Sequence, residues 1–292
     1  MYYGHLNKII LTLAFIGLPT VGLTAQTRRA LIIGVGQQED KKWGKINGDK
    51  DVPFVEEILR NAKFKAGNIR KLVNRQATKA AIVDAFKSLA IQSKYGDVVY
   101  VHFSGHGQQM KDVHNDEKDG LDECWIPYDA YKRPCAKDMG EKHLSDDEIA
   151  VLLYSIKKRI GVSGKILVVV DACHSGTATW SFDCKDETMR GTWEVFNLPQ
   201  PVKYIDNPNK RHESWITISA CKDNQSNYEL KNKNVGKLTY ALYEIVSSNK
   251  KFSNKKFEEM LYAFFSNNAG KYQQTPIISG LSSNDLIQEI LK

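Results

Sequence analysis

The chain has 292 residues, of which 42% are hydrophobic and 26% are charged, as is usual for a soluble globular protein. The length suits one sizeable domain with its own core, and the composition excludes a repeat array, a collagen-like tract or a long disordered chain. The formal net charge is +7, but the basic residues are scattered and are not clustered with aromatic residues. Nucleic-acid binding is therefore not predicted.

The first 25 residues differ from the rest of the chain. They contain Lys8 and no acidic residue, and an apolar run continues to about Ala25. This pattern is typical of a secretory signal peptide cut after Ala25, although Leu23 departs from the small residue preferred near the cut. An uncleaved anchor is the alternative, which Pro19 and the short run disfavour. We expect an exported protein, periplasmic or secreted, with no membrane segment after cleavage.

Six strands and several helices alternate in the remaining chain. Short apolar runs predict strands at 29–35, 69–73, 97–103, 165–170, 215–219 and 275–278. Capping residues and apolar spacing predict helices that begin at Asp51 (with Pro53 in the first turn), Thr78 and Ser145, and further helices at 238–247, 257–266 and 283–291. Residues 111–140 are predicted to form an acidic loop, and 177–213 a polar linker or insertion outside the core.

This alternation predicts an α/β fold, with a mostly parallel six-stranded sheet and helices on both faces. In such folds an active site lies beyond the carboxyl ends of the strands. Two predicted strands end in residues able to do chemistry, one at His106 and the other at Cys173. A histidine that deprotonates a nearby thiol creates a strong nucleophile and then protonates the leaving amine. We therefore predict His106 as general base and Cys173 as nucleophile.

Glycines surround both predicted catalytic residues. Gly107 follows His106, and Gly176 follows Cys173 by three positions, which lets backbone approach a substrate closely. The backbone amides of Gly107 and Cys173 are candidates for an oxyanion hole. A buried, inert Cys173 is the alternative. His102 is interpreted as scaffold.

Five cysteines are present, and an odd count in an exported protein indicates one free thiol. Cys124 and Cys135 could close a loop as a disulfide. The alternative, that all four cysteines other than Cys173 are packed or free thiols, stays open, and Cys184 and Cys221 have no predicted partner.

Two motifs together resemble a known family. Residues 104–107 read Ser-Gly-His-Gly and residues 171–176 read Asp-Ala-Cys-His-Ser-Gly, which is similar to the metacaspase branch of the caspase-like (clan CD) peptidases, especially bacterial exported members. Because His precedes Cys in the chain, a papain-like enzyme is excluded. The resemblance runs from about residue 29 to the C-terminus. Further matching stretches are 47–51, 116–123, 146–148, 219–226 and 236–239.

The resemblance implies a caspase-like three-layer sandwich over residues 26–292, usually monomeric, that cleaves protein or peptide substrates after Arg or Lys. A cationic side chain needs a carboxylate at the base of its pocket. By the resemblance, Asp171 and Asp51 match the pocket aspartates, with Asp49 as a rival for the second position, and Ser104 also lines the pocket. Asp171 as a turn cap is the alternative.

The resemblance also implies calcium as a possible activator, although no cofactor is required for the chemistry. The candidate ligands are Asp122, Asp146 and Asp147. A further family aspartate is replaced here by Trp180, and a solvated acidic loop is the alternative interpretation.

Cleavage after basic residues would make the predicted linker a target of the enzyme itself. The linker carries five Lys and Arg residues, namely Lys185, Arg190, Lys203, Lys210 and Arg211. Three other functions remain open: a non-catalytic caspase-like binding module, a ligase that uses the same two catalytic residues, and a basic surface adhesin.

Overall fold

The computed structural model describes residues 26–112, 119–173, 188–198, 215–230, 232–281 and 287–292. The predicted signal peptide lies outside these residues. Within the described part of the chain, no helix combines the length and the apolar character that crossing a bilayer requires.

A six-stranded sheet forms the centre of the domain, in the order β11-β8-β7-β3-β1-β2. Its strands are β1 (Arg28–Gly34), β2 (Ile69–Val73), β3 (Val98–Ser104), β7 (Lys165–Asp171), β8 (Ile216–Ser219) and β11 (Ile277–Ser279). Every neighbouring pair is parallel except β8 and β11. The prediction of a mostly parallel sheet is confirmed.

Helices cover both faces of this sheet, which confirms the three-layer architecture. They are α1 (Gly48–Asn61), α2 (Lys79–Gln92), α3 (Asp146–Ile160), α4 (Lys237–Ser248), α5 (Asn254–Asn267) and α6 (Ile287–Leu291). Helices α1, α4, α5 and α6 bury apolar side chains on one face, where Ile58, Leu242 and Phe257 are fully buried. Helices α2 and α3 cover the other face around Phe86 and Ile156. Burial of these apolar surfaces is the main favourable term in folding.

Two of the three predicted helix starts are confirmed. Thr78 accepts a hydrogen bond from the Ala81 amide at the start of α2, and Ser145 and Glu148 form a capping box at the start of α3. The predicted start at Asp51 is wrong, because α1 begins at Gly48. Asp51 lies inside the helix and is fully buried, since its carboxylate has partners elsewhere in the fold.

The predicted loop at 111–140 is wrong in part. A second sheet has the order β4-β5-β6, with strands β4 (Gly107–Lys111), β5 (Leu121–Trp125) and β6 (Leu144–Ser145). Strand β4 begins directly after His106. Its two glutamines obscure the alternation of apolar and polar residues by which a strand is usually predicted. Gln108 and Met110 are nevertheless both fully buried. A third, two-stranded pairing joins β9 (Glu229–Leu230) and β10 (Val235–Gly236).

The prediction of a polar linker outside the core is wrong for residues 188–198. Arg190 and Phe196 are both fully buried. Phe196 packs in an apolar cluster with Trp43, Met110 and Ile126. Residues 177–187 and 199–213 lie outside the described residues.

Candidate active site

The two predicted catalytic residues follow adjacent strands. In the parallel pairing of β3 with β7, Ser104 lies opposite Asp171, so both strands end at the same level. His106 and Cys173 each follow two residues later and are 2% and 1% exposed, respectively. This placement at the carboxyl edge of the sheet is the one that a doubly covered parallel sheet favours for an active site.

The His106 ring is oriented by the loop that precedes α1. Its Nε2 lies 2.7 Å from the carbonyl oxygen of Gly44, and the Trp43 ring stacks on it at 4.9 Å between centroids. A carbonyl only accepts hydrogen bonds, so Nε2 carries the proton and Nδ1 keeps its lone pair. Nδ1 is buried and makes no hydrogen bond within the described residues.

Burial lowers the pKa of His106 to about 4, outweighing the hydrogen bond to Gly44, which raises it. Arg190 and Lys132 lower it further by repulsion of the imidazolium. The ring is therefore neutral near pH 7, as a general base must be.

The Cys173 thiol donates a hydrogen bond of 3.3 Å to the carbonyl oxygen of Gln225. Cys221 lies beside it, and a hydrogen bond with Cys173, together with burial, raises the pKa of the Cys221 thiol. Cys124 and Cys135 are both free, so the disulfide considered between them is not formed. Cys184 lies outside the described residues.

The two predicted oxyanion-hole amides converge on one carbonyl oxygen, that of Arg190. The Cys173 amide donates to it over 2.9 Å and the Gly107 amide over 3.3 Å. The Arg190 carbonyl thus lies where the carbonyl of a scissile bond would be polarised.

The side chain of this same Arg190 lies in a buried pocket with three carboxylates. Its Nη1 donates to Asp51 over 2.6 Å and lies 3.5 Å from Asp171, and its Nε donates to Glu229 over 3.0 Å. Burial lowers the pKa of Arg190, but attraction to the three carboxylates outweighs it and raises that pKa above its ordinary value. The guanidinium stays charged, and its planar fork suits this set of acceptors.

The N-terminus of α4 holds the two aspartates in place. Asp171 accepts hydrogen bonds from the Thr239 amide (2.8 Å), the Thr239 hydroxyl (2.7 Å) and Asn227 (2.7 Å). Asp51 accepts one from the Gly236 amide over 2.9 Å. These carboxylates satisfy amides that a helix start leaves unpaired.

The pKa values of the two aspartates move in opposite directions. Burial raises that of Asp171, but Arg190 and the hydrogen bonds outweigh burial, so the net shift is downward. For Asp51 burial prevails over the attraction of Arg190, and the pKa is raised.

The two candidates for the second pocket position have different partners: Asp51 contacts Arg190, whereas Asp49 accepts a hydrogen bond from Asn74 over 3.2 Å. The Ser104 hydroxyl was predicted to line the pocket. It lies 2.9 Å from His102 and 3.4 Å from the hydroxyl of Thr239, which in turn contacts Asp171. Burial lowers the pKa of His102 to about 4, in keeping with a neutral, packed scaffold residue.

Sequence reasoning missed several residues of this site. Thr239 and Gly236 lie in a stretch that matched the family, but that stretch carried no assigned role. An added Cβ at Gly236 would lie 2.2 Å from the Asp171 carboxylate, which explains why only glycine fits there. Glu229, Trp43 and Gly44 gave no local signal.

The predicted calcium ligands do not form a ready metal site. Among the residues that the structure describes, no three acidic, His or Cys side chains converge at a spacing able to hold a metal ion. This search includes Asp122, Asp146 and Asp147. Residues 113–118, which belong to the same acidic region, lie outside the described residues.

Comparison with known proteins adds independent evidence. A family model described as "Caspase domain" matches residues 27–286. Metacaspase-1 of Mycosarcoma maydis is 25% identical over 308 residues, covering 90% of this chain and 72% of that protein. Metacaspase-2 of Arabidopsis thaliana is 33% identical over 158 residues, covering 51% of this chain and 35% of that protein. The chain thus spans about a third of the length of that relative.

Two solved structures share the fold. A protein of Geobacter sulfurreducens has a TM-score of 0.64 at 24% identity, covering 91% of this chain and 100% of that chain. Caspase-1 of Spodoptera frugiperda has a TM-score of 0.58 at 10% identity, covering 87% and 86%. The chain therefore belongs to the caspase-domain family, and its sequence relationships are those of a metacaspase-type cysteine peptidase.

Proposed function

We propose that the chain is an active cysteine endopeptidase that hydrolyses peptide bonds following Arg or Lys, with Cys173 as nucleophile and His106 as general base. One observation carries the proposal. Arg190 offers its carbonyl oxygen to the Gly107 and Cys173 amides while three buried carboxylates surround its guanidinium. One residue therefore occupies both the predicted oxyanion hole, with its carbonyl oxygen, and the charged pocket, with its side chain.

The first half of the reaction adds the Cys173 sulfur to the carbonyl carbon of the scissile bond. Nδ1 of His106 takes the Cys173 proton, and the thiolate attacks the carbonyl carbon of the basic residue. The carbonyl oxygen becomes an oxyanion that the amides of Gly107 and Cys173 stabilise. Loss of one such donor typically costs about 100- to 1,000-fold in rate.

The second half releases both products. His106 returns its proton to the nitrogen of the departing amine, the C–N bond breaks and a thioester forms on Cys173. Water, deprotonated by His106, then attacks the thioester and yields the carboxylate with the thiol restored. The Gly44 carbonyl supports this cycle because it accepts a hydrogen bond from Nε2 and so leaves Nδ1 as the ring nitrogen able to take a proton.

Charge in the pocket favours a cationic side chain. Asp51, Asp171 and Glu229 together carry up to three negative charges against one guanidinium, and all three are buried. Placing Asp or Glu in that pocket would add a fourth uncompensated carboxylate, which burial strongly penalises. Both Arg and Lys supply the required charge.

The test uses three matched fluorogenic peptides that differ only in ending with Arg, Lys or Asp. The purified chain is assayed with Cys173→Ala and Asp171→Ala variants alongside. We expect cleavage after Arg and Lys, loss of activity in Cys173→Ala, and a large loss in Asp171→Ala. Cleavage after Asp would refute the pocket assignment, and no cleavage of any peptide by intact or self-cut protein would favour a non-catalytic binding module.

Calcium activation, export and a monomeric state are further hypotheses that come from the sequence. Repeating the peptide assay with calcium and with a chelator tests the first. Signal-peptide removal is tested by the N-terminal sequence of the protein secreted by an expressing cell, which we expect to begin at Gln26.

A further inference from the structure

Two chain segments meet at the edge of the sheet opposite to the candidate active site. They are the end of α2 with the loop that leads into β3 (residues 87–97) and the end of α3 with the loop that leads into β7 (residues 157–165). The Gly96 amide donates to the Ile160 carbonyl over 2.9 Å, and the Lys165 amide donates to the Asp97 carbonyl over 3.1 Å. The two segments are far apart in the sequence but form one surface, which we call the basal surface.

The basal surface exposes apolar side chains. Among the described residues, the three most exposed large hydrophobic side chains all lie on it: Val162 is 89% exposed, Ile91 72% and Tyr95 63%. The next in rank, Val151, is 47% exposed. Single exposed apolar residues are common on proteins, but three gathered on adjoining loops indicate a surface that binds something.

Hydrogen bonds fix the backbone that carries these side chains. Gly161 has a φ of +65°, and the Gly164 amide donates to its carbonyl over 3.3 Å, so Val162 lies at the tip of a tight turn. The Tyr95 ring packs against this turn, because a Cβ added at Gly161 would lie 2.6 Å from it. The Tyr95 hydroxyl lies 2.8 Å from that of Ser163. The fold thus holds Tyr95 and Val162 side by side at the surface.

The same surface is strongly basic. Its two segments contain six Lys and Arg residues and one acidic residue, Asp97, which is 2% exposed and pairs with Arg29 over 3.0 Å. Lys165 pairs with Glu289, while four of the basic side chains are exposed, namely Lys87, Lys94, Lys158 and Arg159. The negative end of the α3 dipole favours basic residues in the last turn of that helix. It does not account for the exposed apolar side chains beside them.

The chain also enters the domain at the basal surface. The Gln26 side chain donates to the Gly96 carbonyl over 2.9 Å, and the Thr27 amide donates to Asp97 over 3.0 Å. Residues 1–25, which are mostly apolar and contain no acidic residue, immediately precede Gln26 in the sequence. A bilayer that receives this segment would therefore lie next to the basal surface.

We propose that the basal surface docks on a bilayer that contains anionic phospholipid. Ile91, Tyr95 and Val162 enter the headgroup region, and the basic side chains around them contact lipid phosphates. Binding of this kind has two favourable contributions, burial of apolar area and attraction to anionic lipid, and tyrosine is suited to the level of the headgroups.

Docking by this surface fixes the orientation of the active site. His106 and Cys173 follow the carboxyl ends of β3 and β7, whereas the basal loops precede the amino ends of the same strands. Both strands are seven residues long. At about 3.3 Å per residue, they separate the two ends of the sheet by roughly 23 Å. The docked protein holds its cleft away from the lipid.

The first experiment measures binding of the full Cys173→Ala chain to vesicles of phosphatidylcholine, with and without phosphatidylglycerol, by sedimentation. The variant separates binding from any proteolysis. We expect binding to the anionic vesicles at low salt, at least about tenfold weaker binding at high salt because salt screens exposed charges, and little binding to the neutral vesicles. Equal binding to the two kinds of vesicle, or binding to neither, would overturn the proposal.

The second experiment removes each contribution in turn within the same chain. Lys94→Gln with Lys158→Gln should weaken binding by about fivefold for each charge lost. Ile91→Ser with Val162→Ser should weaken it by at least about tenfold, because less apolar area is buried.

The matched control is Lys255→Gln with Met139→Ser, at exposed residues outside the basal surface. It should bind as the parent does. Because residues 1–25 are common to all these proteins, equal binding by control and basal variants would assign the lipid contact to another part of the chain and refute the proposal.

A third measurement locates the contact and separates lipid from other polyanions. Anionic vesicles should slow hydrogen exchange of amides in 91–96 and 161–163, but not in 135–141. Heparin, a soluble polyanion, serves as the comparison. If heparin displaces the vesicles and the Ile91→Ser, Val162→Ser protein binds vesicles as tightly as its parent, the basal surface recognises charge alone and the bilayer proposal fails.

Discussion

Residues 188–190, the upstream half of the 188–198 segment, and residues 191–198, its downstream half, are held by different forces. The upstream half depends on one guanidinium among three carboxylates and on backbone hydrogen bonds. The downstream half depends on burial of Phe196 among apolar side chains. If the proposed function is right, a substrate Arg would make the first set of contacts, whereas the second set belongs to this chain alone. Charge therefore dominates the contacts of residues 188–190, and apolar packing dominates those of residues 191–198.

The largest expected effect comes from removing the apolar side chain of Phe196, which anchors the downstream half. Phe196→Ala, made in the uncut Cys173→Ala background, should lower the free energy of unfolding by about 3–5 kcal/mol, the usual range for a buried Phe. Denaturant titration measures it. Val162→Ala, at a residue that is 89% exposed, is the control and should change little. A negligible effect at Phe196 would show that the downstream half is not part of the core.

Removal of charge from the pocket should affect catalysis more than folding. Asp171→Asn leaves the shape of the side chain but removes the negative charge beside the substrate cation. We expect kcat/KM for the Arg peptide to fall by about 100-fold or more, because the substrate guanidinium loses one of its buried partners. Asp49→Asn, on a carboxylate that does not contact Arg190, is the matched control. Equal activity of the two variants would remove Asp171 from the pocket.

Glu229 should contribute to a preference for Arg over Lys in the substrate. It accepts from Nε of Arg190, a donor that lysine does not have at that position. Glu229→Gln should therefore reduce kcat/KM for the Arg peptide more than for the Lys peptide, with a fall in their ratio of about tenfold. Glu194→Gln, at a half-buried glutamate that pairs with Lys132 and Arg133 and not with Arg190, should leave the ratio unchanged. A proportional loss on both peptides would indicate general damage to the pocket.

The smallest expected effect is on the pH dependence of stability. The pKa values of His102 and His106 are about 4 in the folded protein, below the ordinary 6.5. Between these values the unfolded chain binds protons that the folded chain does not, so unfolding free energy falls as pH decreases from about 6.5 to about 4. Urea titrations of Cys173→Ala over this range measure the slope, and His102→Gln should make it shallower. An unchanged slope would mean that His102 is not buried as a neutral ring.

Much of the fold and the centre of the site could be predicted from sequence because their signals are local. His106 and Cys173 each follow an apolar strand, and parallel strands bring their carboxyl ends together. Glu229 could not be found this way, since it comes from a two-residue strand whose position depends on tertiary pairing. The burial of Arg190 was missed for the same reason. Its surrounding sequence is polar, and only the folded pocket supplies the charges that make burial favourable.

The most direct test of the central claim is covalent capture of the active site. A peptide chloromethyl ketone ending in Arg is incubated with the Arg190→Gln protein, in which the pocket carboxylates no longer hold the Arg190 guanidinium. An otherwise identical reagent ending in Asp serves as control. We expect one equivalent of the Arg reagent on Cys173, located by peptide mass mapping, and none of the Asp reagent. Modification of another cysteine, or equal capture of both reagents, would contradict the assignment of Cys173 and its carboxylate pocket.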